Sequence, residues 1–157
     1  MNELQRRGLG AAIGSAALLG AALVFQYVGG LAPCPICIWQ RWPHGVAIAC
    51  FALLIVLPIR FWAFVGGLAM TVNAGISLYH TGIERRWWPG PDSCTGPDVG
   101  SMSSSELLDR LLDTPAVLCD QVSWEFLGLS MASWNGICCL ILAWLWFRAY
   151  ASSSASQ

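Results

Sequence analysis

Cys34 and Cys37 stand three residues apart in Ala32-Pro33-Cys34-Pro35-Ile36-Cys37-Ile38-Trp39-Gln40-Arg41-Trp42-Pro43, a short connection between two strongly apolar segments. Two thiols at that spacing close a small disulfide, and a thiolate at the start of a helix is stabilised by the helix N-terminus and by nearby cations. Arg41 follows Cys37 by four residues. A helix beginning near Cys37 brings the guanidinium and the sulfur onto one face, where the cation can hold a thiolate or another anion. Other uses of a Cys-x-x-Cys pair fit less well. A c-type haem site needs His directly after the second Cys, where Ile38 stands, and a zinc ribbon needs a second close pair of ligands, whereas Cys94 and Cys119 are far apart in the chain. Thiol redox chemistry is expected here, and a metal site is not.

The elements that must position these thiols are membrane spans. Of 157 residues, 56% are hydrophobic and 11% charged, against roughly 25% charged in a typical soluble domain. All eight basic residues are arginine, and a net charge of -1 gives no reason to expect nucleic acid as a partner. The composition predicts a single all-α membrane domain, a bundle of four transmembrane helices. The first span, about 9–31, is long enough at about 1.5 Å per residue to cross a core of about 30 Å, and too long for an ordinary signal-peptide core. Gly10, Gly14, Ala16 and Gly20 give it small residues that let another helix approach closely. The second span, about 43–59, is apolar only from Gly45, about 22 Å at helical rise, so its helix reaches back toward Cys37 with Pro43 at its first turn or at a kink. Pro58-Ile59-Arg60 turns the chain into a third span, about 61–81, whose Asn73 is expected to bond between helices. A fourth span, about 134–150, precedes a Ser-rich tail, 151–157, expected to be disordered.

Two connections, about 32–42 and 82–133, fall on the side opposite both termini. In the larger one Ser103-x-x-Glu106 reads as a capping box, and Leu107, Leu108, Leu111 and Leu112 share a face opposite Asp109, Arg110 and Asp113. A helix that short is marginal alone, so it is expected on the membrane interface or against a partner. The arginines split evenly, Arg6, Arg7, Arg60 and Arg148 against Arg41, Arg85, Arg86 and Arg110, and do not orient the chain by count. Two other features do: the terminal-side arginines sit in short flanks, and paired loop cysteines make sense only outside the cytosol. Both termini are therefore expected in the cytoplasm. All nine tryptophans fall near span ends, as an aromatic belt would. Cys34-Cys37 and Cys94 with Cys119 then make two candidate disulfides on one face, a relay in which one pair meets a soluble dithiol protein and the other passes electrons into the membrane. Cys50, Cys138 and Cys139 lie within spans and read as packing residues.

Three stretches make the chain resemble the bacterial disulfide bond formation protein B (DsbB) family of inner-membrane, quinone-reducing thiol oxidoreductases. They are Phe25-Gln26-Tyr27 leading into Pro33-Cys34-Pro35-Ile36-Cys37-Ile38-Trp39-Gln40-Arg41, Tyr79-His80-x3-Glu84-x2-Trp87 before Pro91 and Cys94, and Cys119-Asp120 followed by Trp124-Glu125-Phe126-Leu127-Gly128-Leu129-Ser130-Met131. The resemblance covers nearly the whole chain. It implies a periplasmic thioredoxin-like oxidase of the DsbA type as partner, and ubiquinone or menaquinone as electron acceptor in the lipid. By position, Cys94 would take the mixed disulfide with the partner, and Cys119 would attack Cys34 and free Cys37 as the thiolate facing the quinone. Arg41 would hold that thiolate and a quinone oxygen. The resting pairs implied are Cys34-Cys37 and Cys94-Cys119. His80 and Glu84, at i,i+4, would lie near the quinone or on a proton route for its reduction, or form a helix-end ion pair among the headgroups. A quinone-independent thiol-handling or metal-delivery protein using the same four cysteines is the competing reading.

Overall fold

The computed structural model describes residue 1, residues 3–91, residue 94 and residues 118–152. Four helices account for most of it: α1 Glu3–Tyr27, α2 Pro35–Val56, α3 Arg60–Glu84 and α4 Met131–Ser152, with strands β1 Glu125–Phe126 and β2 Leu129–Ser130 just before α4. The amphipathic helix expected around Leu107–Leu112 lies outside the described residues, as does the tail after Ser152. α1, α3 and α4 are long and apolar enough to cross a membrane. α2 does not join them on that measure, because its first three turns carry Gln40, Arg41 and His44 ahead of the apolar run. The protein is a helical membrane protein.

The helices differ in extent from the spans expected within them. α1 starts six residues before the expected 9, because Glu3 holds Arg6 at 2.8 Å and Arg7 at 2.7 Å and so ties the first turn together. It stops at Tyr27 rather than 31, and Gly30 just beyond adopts a left-handed φ of 68°. α2 reaches back past the expected span, as anticipated, and starts at Pro35, so residues 35–42, expected as a connection, are helical. Pro43 sits inside the helix, where its missing N–H leaves the Trp39 carbonyl without its helical partner. α3 runs on to Glu84, and α4 begins at Met131 and includes Ala151 and Ser152, the first two residues of the expected tail. The hairpin was not anticipated. Its turn, Leu127-Gly128, holds both residues at positive φ, 53° and 75°, as a tight two-residue connection requires.

The helices close a ring in which α1 packs on α2 and α4, and α3 packs on α2 and α4. α1 turns Gly8, Ala11, Ala12 and Ser15 inward, an i, i+3, i+4, i+7 stripe. Of the small residues expected to allow close approach, Gly14 faces Leu142, where a Cβ would come within 2.5 Å, whereas Gly10 and Gly20 face open space; Gly8 makes a second close approach, to Leu54 and Trp146. Trp146 is no belt residue. It is the largest fully buried side chain, and its ring lies where a Cβ on Gly66 would come within 2.7 Å. Asn73 bonds between helices as expected, its amide donating to Cys139 Sγ at 3.3 Å, and Cys50 and Cys139 are buried packing residues of the same core. Ile13, Val24, Ile55, Val72, Leu78 and Leu140 stay exposed on the outer surface, which suits hydrocarbon rather than water.

Candidate active site

Pro35 occupies the first turn of α2, where a proline's missing N–H breaks no helical bond and its fixed φ favours the helix. Cys34 is therefore the N-cap, and its sulfur accepts the N–H of Cys37 at 3.2 Å. That geometry sets the two sulfurs 2.8 Å apart, both as thiols. The hydrogen bond from the Cys34 thiol holds Cys37 below the ordinary thiol range, with a smaller push in the same direction from the Arg41 charge. Cys34 is raised by its hydrogen bond to Cys37 and by burial. Of the two thiols Cys37 is thus the readier to ionise, and Cys34 the one that holds its proton more tightly.

Cys94 and Cys119 are joined in a disulfide, and the Cys119 N–H donates to the Cys94 carbonyl at 2.8 Å. Cys34, Ile36, Ile83, Cys94 and Cys119 form one buried cluster, with Cys37 and Ile76 packed against it. The first pair, at the start of α2, and the second, after α3, are brought together at one end of the bundle.

Cys37, Gln40, Arg41 and His44, at i, i+3, i+4 and i+7 of α2, line a cavity of about 370 Å³, within the size range of small-molecule sites. Leu18, Leu19, Ala22 and Phe25 of α1 supply an apolar wall, and Trp124, stacked on Phe126 at 6.0 Å between ring centres, closes the loop side. Arg41 does not hydrogen-bond Cys37. Its Nη1 donates to Gln26 Oε1 at 2.6 Å, so the guanidinium is steered by α1 and acts on the sulfur only through its charge. Among the deeper lining residues, His44 Nε2 meets Asn135 Oδ1 at 3.1 Å, and the Asn135 and Gln40 amides both donate to Ser77 Oγ, at 2.9 and 3.0 Å. His80 and Glu84 also line the cavity. His80 Nε2 lies 3.6 Å from Cys34 Sγ and 3.9 Å from Glu84 Oε1, and Ser130, held by the hairpin, donates its hydroxyl to Glu84 Oε2.

Of the seven residues singled out from sequence, Cys34, Cys37, Arg41, His80 and Glu84 share the cavity wall, while Cys94 and Cys119 lie in the adjoining cluster. Sequence reasoning missed Gln26, Gln40, His44, Ser130 and Asn135. For Gln40 and His44 a signal existed, since they continue the helical stripe from Cys37; for Asn135 there was none. A metal ion would find three donors here, because Cys34 Sγ, Cys37 Sγ and His80 Nε2 lie within 4.8 Å of one another. Two sulfurs on one tetrahedral zinc, at bonds of about 2.3 Å, stand about 3.8 Å apart. At 2.8 Å the pair is set up to bond to itself rather than to share an ion.

A thiol pair beside a closed disulfide is an arrangement capable of thiol–disulfide exchange, and it sits at one end of a bundle whose helices are apolar enough to cross a membrane. Known proteins agree. The family described as disulfide bond formation protein DsbB matches residues 5–149. A disulfide bond formation protein B of Aromatoleum aromaticum is 37% identical over 137 residues, covering 82% of this chain and 81% of that protein. One of Methylococcus capsulatus is 39% identical over 135 residues, covering 80% of each. The chain belongs to the DsbB family and is a disulfide oxidoreductase that serves disulfide bond formation.

Proposed function

We propose that the chain reoxidises a periplasmic thioredoxin-fold oxidase of the DsbA type and passes the electrons to a membrane quinone, ubiquinone or menaquinone. It does so from the bacterial inner membrane with four spans and both termini cytoplasmic. The observation that carries this reading is the packing of both sulfur pairs in one cluster, of which only Cys34 and Cys37 open onto an apolar cavity. In the exchange, a partner thiolate attacks Cys94 and Cys119 leaves as thiolate. Cys119 then attacks Cys34 of a closed Cys34–Cys37 disulfide and releases Cys37 as thiolate. The partner's second thiol resolves its mixed disulfide and frees Cys94, which takes Cys119 back from Cys34. The partner ends oxidised, with Cys94–Cys119 closed and Cys34 and Cys37 as thiols, the arrangement described above.

An ordinary structural disulfide cannot complete the task, since oxidising a partner near −120 mV with a pair below about −300 mV is uphill by about 8 kcal/mol for two electrons. A bacterial periplasm is kept oxidising by a DsbA–DsbB–quinone chain of this kind. A bound quinone would supply a two-electron, two-proton acceptor. The cavity fits a flat apolar ring with polar oxygens: its walls are largely aliphatic and aromatic, and its donors include the Arg41 fork and the second N–H of Gln40 and of Asn135. Cys37, the more acidic of the two thiols, would donate the electrons as thiolate, facing the apolar wall of α1.

The reading is tested by giving the purified protein a reduced DsbA-type partner and a soluble quinone. Partner-dependent quinone reduction is expected, lost in Cys34→Ser and Cys94→Ser. The metal-handling reading rests on the Cys34, Cys37 and His80 donor set. It would win if quinone stayed oxidised while the reduced protein took up one zinc ion per chain.

A further inference from the structure

Closing Cys34 and Cys37 into a disulfide removes two electrons and leaves one proton to place, because Cys37 reacts as thiolate while Cys34 holds its hydrogen. That proton cannot remain on a sulfur that must attack. Apart from Cys37, the polar side chain in contact with the Cys34 sulfur among the described residues is His80, with Nε2 at 3.6 Å. The same nitrogen stands 3.9 Å from Glu84 Oε1, one helical turn further along α3. A proton taken up at Nε2 therefore faces both its source and its next acceptor without any turn of the ring. The second Glu84 oxygen is held by the Ser130 hydroxyl, which fixes the carboxylate in place, and both His80 and Glu84 line the cavity into which the electrons go.

We propose that His80 is the base that removes the Cys34 proton as Cys34 closes on Cys37, and that Glu84 relays it to the cavity. In this step the Cys34 S–H bond breaks and its proton passes to His80 Nε2. The Cys34–Cys37 bond forms, and the electron pair leaves through Cys37 to a two-electron acceptor of the quinone class, which takes up protons as it is reduced. The assignment rests on the proposed quinone reading only for the identity of that acceptor. It places His80 on the sulfur chemistry rather than on recognition of the acceptor, and it separates the proton path, along α3, from the Arg41 wall of α2.

The test uses quinone-free, reduced protein and diamide, a two-electron thiol oxidant that also needs the second thiol deprotonated. Closure is followed by acid quench and thiol counting. General-base assistance is typically worth 10²–10⁴-fold, so His80→Gln and His80→Ala are expected to slow closure by about a hundredfold. Added imidazole should recover part of the rate in His80→Ala, where it has room, and none in His80→Gln. Opening of the Cys94–Cys119 disulfide by a small dithiol should be unchanged in both. Should the His80 variants fail to fold, Glu84→Gln carries the test, with slower closure expected and the same unchanged opening. Wild-type closure rates in these variants, or equal slowing of both reactions, would overturn the assignment. Normal His80 dependence with diamide but no quinone reduction by the wild type would instead sink the quinone reading and leave His80 standing.

Discussion

Removing the Arg41 guanidinium probes what the cavity holds. The side chain stands one turn beyond Cys37 on α2, and one of its donors is committed to Gln26 Oε1 at 2.6 Å. The rest of the fork lines the cavity beside the sulfur. A hydrogen bond from a charged donor contributes about 1.5–3 kcal/mol, or roughly a ten- to hundredfold change in affinity. Arg41→Ala should therefore raise the apparent quinone KM by that factor and leave mixed-disulfide formation with the partner nearly untouched. Arg41→Lys should rescue only in part, since an ammonium supplies charge without a planar fork that spans two acceptors. Gln26→Ala leaves the charge but releases its anchor, so a rise in KM smaller than that of Arg41→Ala is expected. Steady-state quinone kinetics measured beside the rate of mixed-disulfide formation separates these effects. If Arg41 only reaches toward lipid headgroups, Ala would impair insertion or stability instead. Unchanged quinone kinetics in well-folded Arg41→Ala protein would remove Arg41 from the site and refute the reasoning.

Three further outcomes follow from the fold and the sulfur chemistry. Acid-trapped protein mapped without reduction should place every disulfide within the set Cys34, Cys37, Cys94 and Cys119, and Cys50, Cys138 or Cys139 in the main disulfide population would contradict the relay. Single cysteines introduced at the tail and in the 82–133 connection of a variant without reactive loop thiols should differ in intact cells, the connection reacting with a membrane-impermeant reagent and the tail not; the reverse pattern would overturn the orientation. Gly66→Ala, which forces a Cβ to within 2.7 Å of the Trp146 ring, should destabilise the bundle by about 1–3 kcal/mol in detergent unfolding, and an unchanged midpoint would mean the α3–α4 contact is looser than described.

What the sequence made legible was whatever rested on local spacing or on hydropathy. Four apolar runs, the thiol pair of Cys34 and Cys37, and Arg41 on the face of Cys37 all follow from periodicity along one segment, and the structure keeps them there. The extent of α2 was blurred by two prolines whose helical meaning depends on position: Pro35 is favoured in the first turn, whereas Pro43 is tolerated inside only because the surrounding bundle holds the helix. Contacts between segments were illegible for a deeper reason. Nothing local says that Gly8 rather than Gly10 meets a neighbour, that Trp146 turns inward rather than to the headgroups, or that Asn135 completes a polar wall with His44 and Ser77. Those are fixed by the rotation of each helix about its axis, which the apolar pattern of a membrane helix leaves nearly undetermined because lipid-facing and core-facing residues are alike in hydropathy. Polar residues break that degeneracy. Gln40, His44, Asn73, Ser77 and Asn135 cannot face lipid without losing hydrogen bonds, so they turn toward one another and set the rotation of α2, α3 and α4 together. The rotation that satisfies them is the one that carries Cys37 and Arg41 to the cavity on α2, and His80 to the Cys34 sulfur on α3. The buried polar residues of the bundle thereby orient the redox site, and the same amides that stabilise the fold line the wall against which an acceptor would rest.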